Sequence, residues 1–513
     1  MKRKFKNFFK GLKKEIGEHR LVYLFLGVIL ILSFIVRVYN INRLLGFYFD
    51  QGRDALIIWD LWHKGKLFLV GPTTGLAGIF RGPYYYYLIA PFYLIGRGNP
   101  LFPSVFLIFT SVAAVFLVYC LGAKIQGRAT GIIAAILAGF SFNIVMASRW
   151  FSNPTPMLLF SMVLVWAMLK VNEGKKWGWP VIAVVSGLSL FNFGSAGELF
   201  YFPAILIFLI WRWKNRPDRK NLVLSLIFFT LTFLPLVLFD IKHDGILRNN
   251  MFNTFVGEKS FTLPSVSLFE SRNKSYFDIF STKLFHSRGK REIAVLWGLG
   301  LSFILFLPGL IKNKKTRIIL ILLISPLIGL YFYQGNYKVL YDYYMTGYYL
   351  IFILLVAVVL GKIWSYKLGM LIVSCFIYLF IVNNFNVLNY KLKDKSDSPG
   401  SVALVNQLAS VDWVLNSAKG EKFNVDVYVP PVIPYSYDYL FLWRATVRCG
   451  DTLCEMKTNE NVKNLYTLYE KDSNNPERLQ AWMDRQDSIG KVVKETSFGG
   501  IVVQKRERIL YDK

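Results

Sequence analysis

Eleven apolar runs alternate with short polar tracts over the first three quarters of the chain, covering about 21–40, 103–121, 129–147, 155–171, 179–193, 198–212, 221–240, 293–311, 317–335, 344–361 and 367–385. A hydrocarbon core of about 30 Å needs roughly 20 such residues per helix. A further run, Tyr84 to Ile95, is too short to cross, and its four consecutive tyrosines suit an interfacial or re-entrant segment. Past residue 390 the pattern changes. Val402, Val405, Leu408, Val411 and Leu415 repeat as on an amphipathic helix over Ser401–Lys419. Val425–Val429 and Gly500–Val503 read as strands, and Asn475-Pro476-Glu477-Arg478 opens a short helix. The pattern predicts a polytopic α-helical membrane protein with about eleven transmembrane helices and a small C-terminal α/β domain. Its parts are a basic N-terminus (1–20), a transmembrane domain (21–390) with large loops at 41–102 and 241–292, and a polar tail (391–513).

Charge sets the orientation. If 84–95 does not span, the loops around Lys124/Arg128, Lys175/Lys176, Arg212–Lys220, Lys312–Arg317 and Lys362/Lys367 share one side and hold fifteen Lys and Arg. The short loops near Arg149, Ser195 and Lys338 share the other side and hold two. Basic loops stay cytoplasmic, so the N-terminus is expected inside the cell and the loops 41–102 and 241–292 and the tail outside. The 241–292 loop, with nine Lys and Arg, fits less well, but long loops weigh little in this rule.

Composition agrees with a multi-pass protein of the cell membrane: 54% of the 513 residues are hydrophobic and 17% aromatic. The net charge of +28 sits mostly between apolar runs, and no nucleic-acid-binding motif accompanies it. Met1–Arg20 lacks a small-residue cleavage signal and reads as an uncleaved anchor. Cys120 and Cys375 lie in apolar runs; Cys449 and Cys454, in the tail, are spaced for a small disulfide or for none. There is no metal cluster, phosphate-binding loop or dinucleotide fingerprint, which argues against an ATP-driven pump.

The candidate chemistry gathers on the expected outer side. Phe49-Asp50-Gln51-Gly52-Arg53-Asp54 follows the first span, and Ala55–Trp62 is an apolar stretch expected to lie flat on the membrane. Arg81-Gly82-Pro83-Tyr84 leads into the tyrosines. Arg149 and Asn153-Pro154 sit between two spans, and Tyr341-Asp342-Tyr343-Tyr344 stands at the mouth of a later one. Bland readings compete: Asp50 as a helix cap, Arg81 as a snorkelling arginine, the tyrosines as an aromatic belt. Asp342 is harder to dismiss, since an acid at a span's edge needs water or a partner. Asp240, with Lys242, His243 and Asp244, forms a fourth group on that side, in which the lone histidine reads as structural.

Asp50-Gln51-Gly52-Arg53, Arg81-Gly82-Pro83-Tyr84 and Asn153-Pro154, in that order and on one side, resemble the integral-membrane GT-C glycosyltransferases. The likeness is to the branch of the protein O-mannosyltransferases and lipid A aminoarabinose transferases, and it covers roughly residues 20–390. It implies a polyprenyl-phosphate sugar as donor, an extracytoplasmic glycan, lipid or protein as acceptor, and inversion at the anomeric carbon. It makes Asp50 the general base, and it sets Arg81, where the family has lysine, and Arg53 at the donor phosphate. Gln51, Asp54, Tyr84, Arg149, Asn153, Asp342 and Tyr344 are the supporting candidates. Gln51 and Asn153 replace acids of the family pattern, so no obligatory divalent metal is expected. The rivals are a secondary transporter or lipid flippase, a non-catalytic scaffold, and an O-antigen ligase or polymerase. Transporters place ionisable groups near mid-bilayer, whereas here the acids cluster at one lip.

Overall fold

The computed structural model describes residues 15–509, apart from 77, 258–259, 336–337 and 431–432. Among the described residues, seven helices are long and apolar enough to cross a membrane: Arg20–Val38, Leu101–Gln126, Arg219–Lys242, Lys290–Lys312, Lys314–Phe332, Asp342–Trp364 and Lys367–Leu392. Arg128–Phe140 and Phe142–Arg149 form a pair bent by 60° that passes the same test together. The remaining three apolar runs coincide with shorter helices, Met157–Asn172, Gly178–Phe193 and Gly197–Trp211. Tyr84–Ile95 is a separate helix of 12 residues. The segment Thr346–Trp364 is buried nearly all round, the signature of a central helix; Lys290–Lys312 buries little and stands at the rim.

The bend has a physical cause and a physical remedy. A break at Ser141 leaves carbonyls of the preceding turn without intrahelical donors. Arg37, fully buried near the end of the first helix, donates to the Ala138 carbonyl at 3.0 Å and the Gly139 carbonyl at 2.7 Å. Its remaining donors meet Ser33, Ser111 and Ser148. A cation in an apolar bundle is tolerated here because every nitrogen has an oxygen partner.

Contacts sort the loops into two sets at the two ends of the bundle. At one end Glu15 pairs with Arg128, Lys124 with Glu173, and Lys315 donates to the Lys124 carbonyl. At the other, Asn40 donates to the carbonyls of Leu392 and Asp394, Arg149 to those of Arg37 and Tyr39, and Lys283 pairs with Asp342. The 41–102 loop and the tail lie at this second end.

The tail contains a four-stranded sheet of β1 (Phe423–Tyr428), β2 (Asn464–Glu470), β3 (Gly490–Phe498) and β4 (Ile501–Arg508), in the order β1-β2-β4-β3. Only the β1–β2 pair is parallel. Helices Leu404–Ala418, Tyr435–Cys449 and Pro476–Ile489 accompany it. Cys449 and Cys454 are joined, with their Cα atoms 5.2 Å apart. The tail is not a detached unit. Leu404 N donates to the Leu45 carbonyl and Gln407 Nε2 to the Phe47 carbonyl, both in the loop 41–102. Helix Tyr435–Cys449 lies against helix Phe49–Lys64, in which Ala55 and Ile58 are buried. Gly52 permits that contact: a Cβ there would stand 2.3 Å from Ser436 N.

Candidate active site

Helix Phe49–Lys64 presents Asp50 in its first turn, where an acid favours the helix dipole. Gln51 closes a capping box, accepting from Tyr48 N at 3.0 Å, and its amide donates to the Phe151 carbonyl at 2.8 Å. Arg53 stands between two carboxylates. Nη1 is 2.9 Å from Asp50 Oδ1, and Nη2 is 2.7 Å from Asp54 Oδ1. Asp54 is buried and also accepts from the Tyr86 hydroxyl at 2.9 Å. Burial pushes its carboxyl up to about 6, against the pull of Arg53 and Tyr86. The Asp50 side chain is instead largely open to solvent, so of the two acids Asp50 is the one an incoming group can reach.

Arg81 arrives from a different segment. Residues 71–82 double back as a small hairpin, with Gly71 N to the Arg81 carbonyl at 2.7 Å and Arg81 N to the Pro72 carbonyl at 3.0 Å. Gly82 is pressed against Asn192, and a Cβ there would meet Asn192 Oδ1 at 2.1 Å. The two segments are joined directly: Arg53 Nη1 donates to Thr73 Oγ1 at 2.7 Å, next to Pro72. Tyr343 lies within electrostatic reach of both Asp50 and Arg81.

Arg81 lines an apolar cavity of about 460 Å³ with Leu76, Phe80, Phe191, Leu236 and Tyr344 among its walls. One guanidinium nitrogen, Nη1, donates to the Gly194 carbonyl, which is freed by the π-turn at Ser189–Phe193. Its buried Nε has no partner, nor does the buried Ser195 hydroxyl on the same wall. Burial pulls the Arg81 guanidinium below its usual range, while Glu198, Tyr343 and Tyr344 pull the other way. A buried guanidinium donor without a partner costs free energy unless something else satisfies it, and a charge-assisted hydrogen bond to an anion is one way to do so.

The other candidates divide. Tyr344 lines the cavity. Asn153 donates to the Phe193 carbonyl at 3.3 Å, bracing the turn that holds Arg81. Tyr84 supports the same turn through its N–H to Asn192 Oδ1, and its hydroxyl donates to the Leu231 carbonyl. Asp342 meets Lys283 Nζ and the Tyr349 hydroxyl, each at 2.7 Å, and so has the partner an acid at a span's edge needs. Arg149 does not reach the cavity; it caps the end of the first helix, because the carbonyls of Arg37 and Tyr39 lie within its grasp. Asp240 caps the helix Ile246–Phe252 through Leu247 N and Arg248 N, and His243 hydrogen-bonds the Phe239 carbonyl, both structural tasks.

Three residues went unsingled in the sequence. Arg272, buried in the 241–292 loop, donates to the Tyr333 carbonyl at 3.0 Å, leaves its Nε unpartnered, and lies in electrostatic reach of Tyr344. Lys283 is buried against the Tyr349 ring. Glu198 is buried within electrostatic reach of Arg81 and accepts from Ser195 N and Gly347 N. Glu198 alone left a signal, an acid at the head of an apolar run.

Residues 80–239 match the family described as dolichyl-phosphate-mannose-protein mannosyltransferase. No curated protein sequence matches the chain. Among solved structures, ArnT from Cupriavidus metallidurans bound to undecaprenyl phosphate superposes with a TM-score of 0.58 at 10% identity, over 94% of this chain and 98% of that one. The Archaeoglobus fulgidus oligosaccharyltransferase, in complex with Zn and sulfate, superposes with a TM-score of 0.51 at 13% identity, over 87% of this chain and 68% of that one. This chain therefore resembles the GT-C integral-membrane glycosyltransferases, in fold over nearly its whole length and in family match over residues 80–239.

Proposed function

We propose that this protein moves a sugar from a polyprenyl-phosphate-linked donor to a hydroxyl acceptor at the outer face of the cell membrane, with inversion. The observation that carries this reading is Arg81: a guanidinium with a buried, unpartnered Nε at the wall of an apolar cavity. The cavity suits the first isoprene units and Arg81 the phosphate they carry. That ArnT holds undecaprenyl phosphate in a similar fold supports the same donor class.

Asp50 takes the proton from the acceptor hydroxyl as its oxygen attacks the anomeric carbon. The bond from that carbon to the phosphate oxygen breaks, and the polyprenyl phosphate leaves with the electron pair. Arg81 meets the charge that develops on the leaving group. Arg53 fixes Asp50 through the 2.9 Å pair and leaves its outer oxygen open. The same guanidinium pairs with both Asp50 and Asp54, which supports a reaction without an obligatory divalent metal.

The test uses the purified chain in nanodiscs with a polyprenyl-phosphate-linked sugar and cell-envelope extract as acceptor source. Release of polyprenyl phosphate together with a glycosylated product, unchanged by a chelator, supports the reading. Uptake of the lipid-linked sugar into proteoliposomes with no product would favour a flippase instead.

A further inference from the structure

A second cavity lies on the same helix as Asp50, toward its far end, and the reaction above makes no use of it. It measures about 290 Å³ and is walled by Trp59, Trp62 and His63 of helix Phe49–Lys64, Tyr93 and Arg97 at the end of the tyrosine-rich helix, and Tyr439 of the tail. Trp59 stacks on His63 at 3.8 Å between centroids, and Tyr439 stands edge-on to both Trp59 and Tyr93. The tail fixes the floor: the Tyr439 hydroxyl donates to the Gly98 carbonyl at 2.5 Å and Trp443 Nε1 to the Arg97 carbonyl at 2.8 Å. Tyr93 is only 3% exposed, and its hydroxyl has no hydrogen-bond partner.

Aromatic faces with one unused buried hydroxyl fit a ligand that is apolar on its flat side and polar at its rim. A pyranose ring has that form: axial C–H groups on its faces, hydroxyls around its edge. A lipid tail would leave the Tyr93 hydroxyl unsatisfied, and the walls carry no carboxylate to attract a free ammonium group. We propose that this cavity is a saccharide subsite, which holds a sugar ring of a glycan acceptor remote from the hydroxyl that is glycosylated. Trp59 and Trp62 follow Asp50 by nine and twelve residues on one helix, which is about 13 to 18 Å along the axis. An acceptor spanning that distance is at least a short oligosaccharide. The inference rests on the proposed transfer reaction for the word acceptor, but not for the binding itself.

The experiment is saturation-transfer NMR on the full-length chain in nanodiscs with N,N′-diacetylchitobiose, α-1,2-mannobiose and lactose as probes. At least one probe receives saturation from the protein. Tyr93→Phe and Trp62→Ala each weaken its binding by roughly tenfold or more, as loss of one hydrogen bond or one stacking face does. Asp50→Asn leaves probe binding as it was. The proposal is overturned if no probe receives saturation, if both cavity variants bind like the parent chain, or if glycerophosphoethanolamine displaces the sugars and shows the site to be a headgroup pocket. Sugar binding that depends on Tyr93 in a chain with no transfer activity would sink the proposed reaction alone. Transfer activity without any sugar binding would sink the subsite alone.

Discussion

Arg53 donates from Nη1 to the Thr73 hydroxyl across 2.7 Å, and this bond joins the helix that carries Asp50 to the hairpin that carries Arg81. The spacing of Asp50 and Arg81 is thus set by a guanidinium and a hydroxyl as well as by the bundle. Thr73→Val keeps the shape of the side chain and removes the acceptor. Displacements near 1 Å at a reacting centre can cost about a hundredfold. Turnover should fall by roughly ten- to a hundredfold with the KM for donor little changed, read from initial rates in nanodiscs. An unchanged turnover would mean the two segments are held together by other contacts.

A different residue governs the fold. Arg37→Met strips the donors from the Ala138 and Gly139 carbonyls and leaves them buried beside the break at Ser141. Each orphaned carbonyl costs about 1–3 kcal/mol. The variant should lose several degrees of thermal stability in detergent, and a fluorescence melt checks it. A melt identical to that of the parent would show that other donors take over those carbonyls.

The tail carries a pH-dependent load. Burial pushes Glu470 up to about 7, against the hydrogen bond from Tyr437, and Asp438 up to about 6. Both folded values exceed the unfolded ones, so between roughly pH 4 and 7 the native chain holds protons that the unfolded chain has released. Stability from this source therefore falls as pH rises through that window. Glu470→Gln should flatten the slope of Tm against pH between 4.5 and 7.5; parallel slopes for the two chains would exclude Glu470 as its origin.

Much of this was legible in the sequence, and the misses share a cause. The eleven apolar runs mark helices because burial in lipid demands a continuous apolar surface, which composition records directly. Three of them fall on helices shorter than a full span, and two of these contain a turn that is not α-helical, the π-turn at Ser189–Phe193 and the 3₁₀ turn at Gly197–Phe200. In the tail, Leu404–Ala418 and β1 and β4 follow their apolar periods, whereas β3 is mostly exposed and has little apolar alternation to reveal it. Asp50, Arg53 and Arg81 stood out because charges beside apolar runs are costly. Arg272 and Lys283 did not, because their burial comes from partners distant in sequence: Tyr333 for the one, Asp342 and Tyr349 for the other. Arg149 stands apart from the cavity, and its Nη2 is buried without a partner. A basic residue at a loop tip stands out in the sequence, but that its Nη1 meets the carbonyls ending the first helix is not legible there.

The most direct measurement compares Asp50→Asn and Arg81→Ala in one assay, with donor binding and turnover read separately on the purified chain. Loss of a general base lowers a rate by about 10²–10⁴-fold. Asp50→Asn should bind the polyprenyl-phosphate donor like the parent and lose turnover to that extent, while Arg81→Ala should lose donor affinity as well. Full turnover in Asp50→Asn, or undiminished donor binding in Arg81→Ala, would contradict the account.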